Sequence, residues 1–316
     1  MNLFGRLVNP KIPSAALGLE RGSAAVVSLD RASAGRYGLR RAATVALPDS
    51  VLQPNFEGQN ILDPDGFANL LIELVTGAGL LRQKKWSVTL PEAAAKAVIV
   101  TMDAATASRA EQDEVMRWKI ERAFGAPFDD LRISRERITP DANGRPRYLT
   151  AGTRWEVLAE YEAAFARLGW RIGMVVPRQI GEAQWLLSSP AVRAMGDTLL
   201  LSTHHEGFTA VLVRQGQPLI IRSVMCEVED FQDELFRLLL FYRDRIVNDA
   251  PDRSIDAFLL LGDGFQSARV VEVIRETLGT EARALVAGDV GLTLPGNELS
   301  FDRMAAPAGL ATLAWA

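Results

Sequence analysis

The sequence predicts an α/β protein made of two related lobes, each a β-β-β-α-β unit, with an α+β subdomain inserted in the first. Three observations predict it. Thr198–Val224 reads as an apolar strand (Leu199–Leu201), an interruption (Ser202–Gly207), a second strand (Phe208–Val213), a two-residue turn (Gln215-Gly216) and a third strand (Leu219–Val224). Ala15–Leu47 repeats that order, with Ala16–Leu19, the loop Glu20–Ser23, Ala25–Leu29 and Arg41–Leu47. Each stretch is followed by an amphipathic helix and another strand, and Pro91 to Leu168 has no counterpart in the second half. The boundaries expected are 1–90 for the first lobe, closed by 305–316, then 91–170 for the insertion and 171–304 for the second lobe.

In chain order, Asp63-Pro64 supplies an N-cap and a first-turn proline for a helix over Gly66–Thr76, whose Phe67, Leu70, Leu71, Leu74 and Val75 recur at core spacing. Trp86–Leu90 is the following strand. The insertion reads as strand Ala97–Met102, helix Arg109–Phe124, hairpin strands Leu131–Ile138 and Arg147–Ala151 around Asn143-Gly144, and helix Arg154–Leu168. Trp118 falls off the apolar stripe of its helix, which fits either a partner contact or partial burial at a junction. Strand Arg171–Val176 and helix Gln179–Leu187 lead into the second lobe. There a long helix Val228–Val247 carries Phe231, Leu235, Leu238, Leu239 and Tyr242 at core spacing. Strand Asp256–Leu261 enters Gly262-Asp263-Gly264, followed by helix Ser267–Leu278, strand Arg283–Val286 and an apolar closing helix Pro307–Ala316.

Composition narrows the function. A chain of 316 residues, 48% hydrophobic, buries a large core, and a net charge of −4 offers no electrostatic footprint for nucleic acid. Cys226 is the single cysteine, so no intramolecular disulfide or cysteine-based metal site forms. Glu227 and Glu229 beside it oppose thiolate formation. No apolar run reaches transmembrane length and Met1–Pro13 has no signal-peptide core, so a cytoplasmic location is expected. Met1–Val8 mixes Leu3, Phe4 and Leu7 with Arg6; a disordered terminus is expected there over a membrane or partner contact.

Two such lobes with an insertion in the first describe the actin-like ATPase (ribonuclease H-like) fold, and several segments resemble the PilM-type proteins of type IV pilus assembly. LFGRLVNPKIPSAALGLERGSAAVVSLDR resembles that family's opening, and VTLPEAAAKAVIVTM its Leu-Pro strand leading into the inserted subdomain. DEVMRWKIERAFGAPFDDLRISRERI and RWEVLAEYEAAFARLGWRIGMVVPRQIGEAQWLL are similar to two further runs, LLLGDGFQS to the adenosine-side loop, and APAGLATLAW to the closing helix. The resemblance spans almost the whole chain. It implies a cytoplasmic scaffold of an inner-membrane pilus platform. That scaffold is peripheral to the membrane through its partners and contacts other platform components. It captures the N-terminal tail of a PilN-like single-pass protein in a groove near Trp86–Leu90. The alternatives on the same fold are an active ATPase or small-molecule kinase, or the cytoplasmic part of a type II secretion platform.

The resemblance also implies a site for ATP with magnesium, between two hairpin loops whose glycines admit phosphate and whose aspartates hold the metal. The first loop aligns as Leu17–Ser23, with Glu20 at the aspartate position, Gly22 and Ser23 kept, and Arg21 replacing an apolar residue. The second aligns as Ser202-Thr203-His204, which has lost the carboxylate and the glycine. His204 and its neighbour His205 cannot jointly ligate one metal from regular strand geometry. His204 reads as part of a degenerate loop, with a phosphate or pH role as the alternative. Gly262, Asp263 and Gly264 fit a base-side contact, though tight strand-to-helix turns need glycine sterically as well. Glu20, Gly22, Ser23, Gly262, Asp263 and Gly264 are therefore the candidate residual nucleotide site, without catalytic residues or a resident metal.

Overall fold

The computed structural model describes residues 12–103, 108–247, 254–295 and 299–315. The terminal segment Met1–Val8 discussed above lies outside them. The strands up to the middle of the chain are β1 (Ala15–Glu20), β2 (Gly22–Ser33), β3 (Arg36–Leu47), β4 (Lys85–Leu90), β5 (Lys96–Thr101), β6 (Leu131–Ile138), β7 (Arg147–Arg154) and β8 (Arg171–Pro177). After them come β9 (Asp197–His204), β10 (Gly207–Arg214), β11 (Gln217–Met225), β12 (Ile255–Leu261) and β13 (Arg283–Leu285). The helices are α1 (Pro64–Gly77), α2 (Arg109–Phe124), α3 (Trp155–Arg167), α4 (Arg178–Ser188), α5 (Pro190–Arg193), α6 (Phe231–Tyr242), α7 (Ser267–Leu278) and α8 (Phe301–Thr312).

The chain packs as two units. Among the described residues, the first gathers those up to Ala95, Thr153–Glu182 and those from Thr293; the second holds those of Lys96–Gly152 and Ala183–Leu292. Residues 96–152, most of the expected insertion, thus pack with the second lobe's elements. Helix α3, expected in the insertion, belongs instead to the first core. Its Val157, Tyr161, Ala164 and Phe165 form an apolar stripe buried beside Phe67, whose ring lies 6.5 Å from Tyr161.

In the first unit five strands of a six-stranded sheet run β3-β2-β1-β4-β8, with β1 to β3 antiparallel and β4 and β8 parallel to β1. Alternation along β1 and β4 puts Leu17, Leu19, Trp86, Val88 and Leu90 into one core, where each such burial contributes about 1.5–3 kcal/mol. Asp63 caps α1 as the sequence predicts, its Oδ1 accepting from Asp65 N–H at 3.2 Å and Gly66 N–H at 3.0 Å. The closing helix differs from expectation: α8 starts at Phe301, and Pro307 lies inside it. The proline ring is accommodated because β1 presents Gly18 there. A Cβ on Gly18 would stand 2.7 Å from Pro307 Cδ.

Helix α4 meets α8 just as closely at Gly181, where a Cβ would lie 2.5 Å from the Ala306 carbonyl oxygen. Backbone cannot retreat as a side-chain tip can. Gly181→Ala should therefore cost about 2 kcal/mol net, the overpacking exceeding the helix-propensity gain. A chemical denaturation midpoint equal to or above that of the parent would rule this contact out.

In the second unit the sheet runs β11-β10-β9-β12-β13. The order matches the first lobe strand for strand: three antiparallel strands, then two parallel ones. The turn at Gln215-Gly216 forms as the sequence predicts, with φ of 50° and 75°. Residues 228–247 form three pieces where the sequence predicts one helix: a 3₁₀ turn Val228–Asp230, α6, and a π turn Arg243–Val247. The α-helical part ends at Tyr242, whose hydroxyl donates to Asp197 Oδ2 at 2.7 Å and fixes that end of the helix. The three-stranded sheet β5-β7-β6, backed by α2, is tied to β11 by buried Arg147, whose Nη2 donates to the Pro218 and Leu219 carbonyls at 3.0 and 2.7 Å. A guanidinium satisfies two edge carbonyls that burial would otherwise leave unpaired.

Candidate functional site

The first hairpin is closed by Glu20 paired with Ser23, with Arg21 and Gly22 as its two turn residues. Gly22 takes a φ of 86° and has open space where a Cβ would stand. Arg21 binds Asp49 with two bonds, Nε to Oδ1 at 3.0 Å and Nη2 to Oδ2 at 2.7 Å. Glu20 is engaged by the protein itself. Arg178, at the first position of α4, places Nε 3.1 Å from Glu20 Oε1 and 2.7 Å from Glu182 Oε1. Burial alone would lower the arginine pKa, but Glu182, Glu20 and Glu92 more than offset it and hold the guanidinium above its ordinary value.

The second hairpin is built differently from the sequence alignment of its loop. Ser202 and Thr203 are buried strand residues, paired in register with Thr209 and Phe208. His204 is the last strand residue and pairs with Gly207, so His205 and Glu206 form the exposed turn. Counted by hairpin register, His204 stands where Glu20 stands in the first lobe, and Glu206 where Gly22 does. The chain thus has an acid in the turn of the second hairpin, on the surface. Gly207, at φ 146°, serves packing: a Cβ there would lie 2.0 Å from the Val224 carbonyl oxygen.

Gly262-Asp263-Gly264 forms the tight turn between β12 and α7, and its glycine space is filled by the protein. A Cβ on Gly262 would stand 2.2 Å from Thr203 Oγ1, and one on Gly264 2.7 Å from Phe231 Cε2. Thr203 in turn donates to the Leu261 carbonyl at 3.3 Å. A recess of about 150 Å³ lies beside this turn, lined by Gln232, Phe265, Arg269 and neighbours. That is half the lower bound of about 300 Å³ typical of small-molecule pockets. Among the described residues no group of three His, Cys, Asp or Glu side chains is placed to hold a metal ion.

Cys226 follows β11 and is half-buried. Burial raises its thiol pKa first, and Glu234, Asp230 and Glu227 raise it further. The direction is the expected one, but Glu234 and Asp230 act where the sequence pointed to Glu229. Cys226 should alkylate more slowly than free cysteine at pH 8, and its pH–rate profile should rise only above the usual thiol range. A rate at pH 8 equal to that of free cysteine would contradict this environment.

The model is similar to the PilM-PilN type IV pilus biogenesis complex, with a TM-score of 0.73 at 18% identity, over 96% of this chain and 99% of that one. The two share a fold. The chain has the two-lobe actin-like architecture, and the likeness includes the inserted sheet and helix. Weaker likenesses, each below a TM-score of 0.5, include the cytoplasmic domain of EpsL, an inner-membrane component of the type II secretion system of Vibrio cholerae (0.47, 9% identity, 95% and 93% covered). Another is a Bacteroides thetaiotaomicron protein with an actin-like ATPase fold (0.45, 10% identity, 90% and 94% covered). No protein-family model matches the chain, and no curated protein does.

Sequence reading located Glu20 and Gly22 at a hairpin but missed Arg178 and Glu182. Their spacing of four on a helix was visible as an ion pair; the reach to Glu20, far away in sequence, was not.

Proposed function

We propose that this chain is a cytoplasmic scaffold of an inner-membrane type IV pilus assembly platform. It binds the N-terminal tail of a PilN-like single-pass protein, is held at the membrane through such partners and contacts other platform components. The observation that carries the proposal is the full-length fold match to the PilM-PilN complex, which includes the inserted elements that a minimal two-lobe enzyme does not need. No helix among the described residues is long and apolar enough to cross a membrane, which fits attachment through a partner. The scaffold does not hydrolyse ATP. In support, Glu20 is bound by Arg178, the second hairpin lacks a carboxylate at Ser202–His204, and Gly262 and Gly264 are packed over by Thr203 and Phe231.

The test is calorimetry of the full chain with a synthetic peptide of the partner's N-terminal tail. The expected result is saturable binding that a scrambled peptide of equal composition does not reproduce. No heat up to millimolar peptide, an affinity weaker than about 4 kcal/mol, would remove the scaffold reading. Phosphate release from ATP that disappears in Glu20→Ala would replace it with the enzyme reading.

A further inference from the structure

The base of the first hairpin concentrates charge in a nearly dry place. The Arg178 side chain is 7% exposed, Glu182 0% and Glu20 22%. One guanidinium bridges two carboxylates through the same Nε, with Glu92 close enough to act on it electrostatically. Arginine does not deprotonate in proteins, so this positive charge is permanent. Glu182, one helical turn along α4, holds it from the buried side, so the guanidinium is not free to swing away from Glu20.

We propose that Arg178 is a built-in counter-ion that takes the electrostatic place of a divalent cation at the first hairpin, and that Glu182 is the residue that positions it. Magnesium needs several oxygen ligands in near-octahedral array at about 2.0–2.1 Å, and it binds through free carboxylates. Glu20 shares the Arg178 guanidinium with Glu182, so its carboxylate is engaged before any cation arrives. The internal ion pair thereby takes the place a metal ion would occupy at the hairpin. This inference stands whether or not a peptide is the partner, since it concerns only the cation preference of Glu20.

Manganese titration followed by electron paramagnetic resonance on the full chain tests it, with Glu20→Gln as the background in every arm. The parent should show no binding that depends on Glu20. Arg178→Gln should gain binding at least tenfold tighter than its own Glu20→Gln background, and its Tm, lowered by about 5–10 °C, should recover as manganese is added. If Arg178→Gln does not fold, the pair Arg178→Met with Glu182→Met replaces the buried ion pair by apolar volume and leaves Glu20 uncompensated; it should gain the same binding. Glu20-dependent manganese binding in the parent overturns the proposal. So does its absence from every folded variant that lacks Arg178, because something other than the guanidinium would then exclude the metal.

Discussion

Gly207→Ala should be among the most damaging single substitutions in the second unit, costing about 4 kcal/mol. Two independent effects add. The residue sits at φ 146°, a backbone region that essentially only glycine occupies, and side chains forced there cost about 1–3 kcal/mol. The new methyl would also stand 2.0 Å from the Val224 carbonyl oxygen of β11, so two backbones must part. Separating them breaks the start of the β10–β11 ladder, where Gly207 pairs with Met225, and the bond from Cys226 N–H to the Glu206 carbonyl at 3.1 Å. The measurement is the denaturant midpoint followed by circular dichroism. A loss below about 1 kcal/mol would mean that β11 does not pass this close.

Asp197→Ala should cost about 3 kcal/mol. Its carboxylate, on a side chain 3% exposed, accepts two bonds from Arg214, Nε to Oδ1 at 2.6 Å and Nη2 to Oδ2 at 2.5 Å, and a third from the Tyr242 hydroxyl at 2.7 Å. Removing it strands a buried phenol and a partly buried guanidinium, and the Arg214 share is discounted because its side chain is 21% exposed. Tyr242→Phe removes one donor and should cost about 1–1.5 kcal/mol.

The same network sets an alkaline limit. Burial first, then the bond to Asp197, push the Tyr242 phenol above its usual value; burial first, then Glu160, do the same to Tyr161. A raised folded pKa means that the native state holds the proton more tightly than the unfolded chain, whose tyrosines titrate near pH 10. Their contribution is complete below about pH 10 and falls as the pH rises beyond it. Tyr242→Phe should flatten that decline. An unchanged slope above pH 10 would show that Tyr242 does not report on unfolding.

Much of the fold was legible because it rests on local rules. The two-residue turn at Gln215-Gly216, the Asp63-Pro64 helix start and the periodic stripes of α1, α2 and α7 follow from backbone sterics and apolar spacing, which act within a dozen residues. The repetition of three strands, a helix and a strand pointed to one such unit in each lobe. The misplacements have nonlocal causes. Pro307 looked like a helix start because an interior proline is costly, yet Gly18 of β1 leaves room for its ring. Helix α3 looked part of the insertion, but Phe67 and Trp170 offer its stripe a deeper core.

The candidate site divides in the same way. By itself the sequence determined that a glycine-containing hairpin closes each lobe's first strand, that Glu20 is the acid at one of them, and that Ser202–His204 holds no carboxylate. Only the tertiary structure decided what these residues meet. It brought Arg178 to Glu20 and Thr203 to Gly262, and it set Glu206 in an exposed turn and Ser202 in a buried strand. The physical reason is range. Turn sterics and side-chain periodicity are written into neighbouring residues, whereas a buried charge takes whatever partner the packing of distant segments delivers.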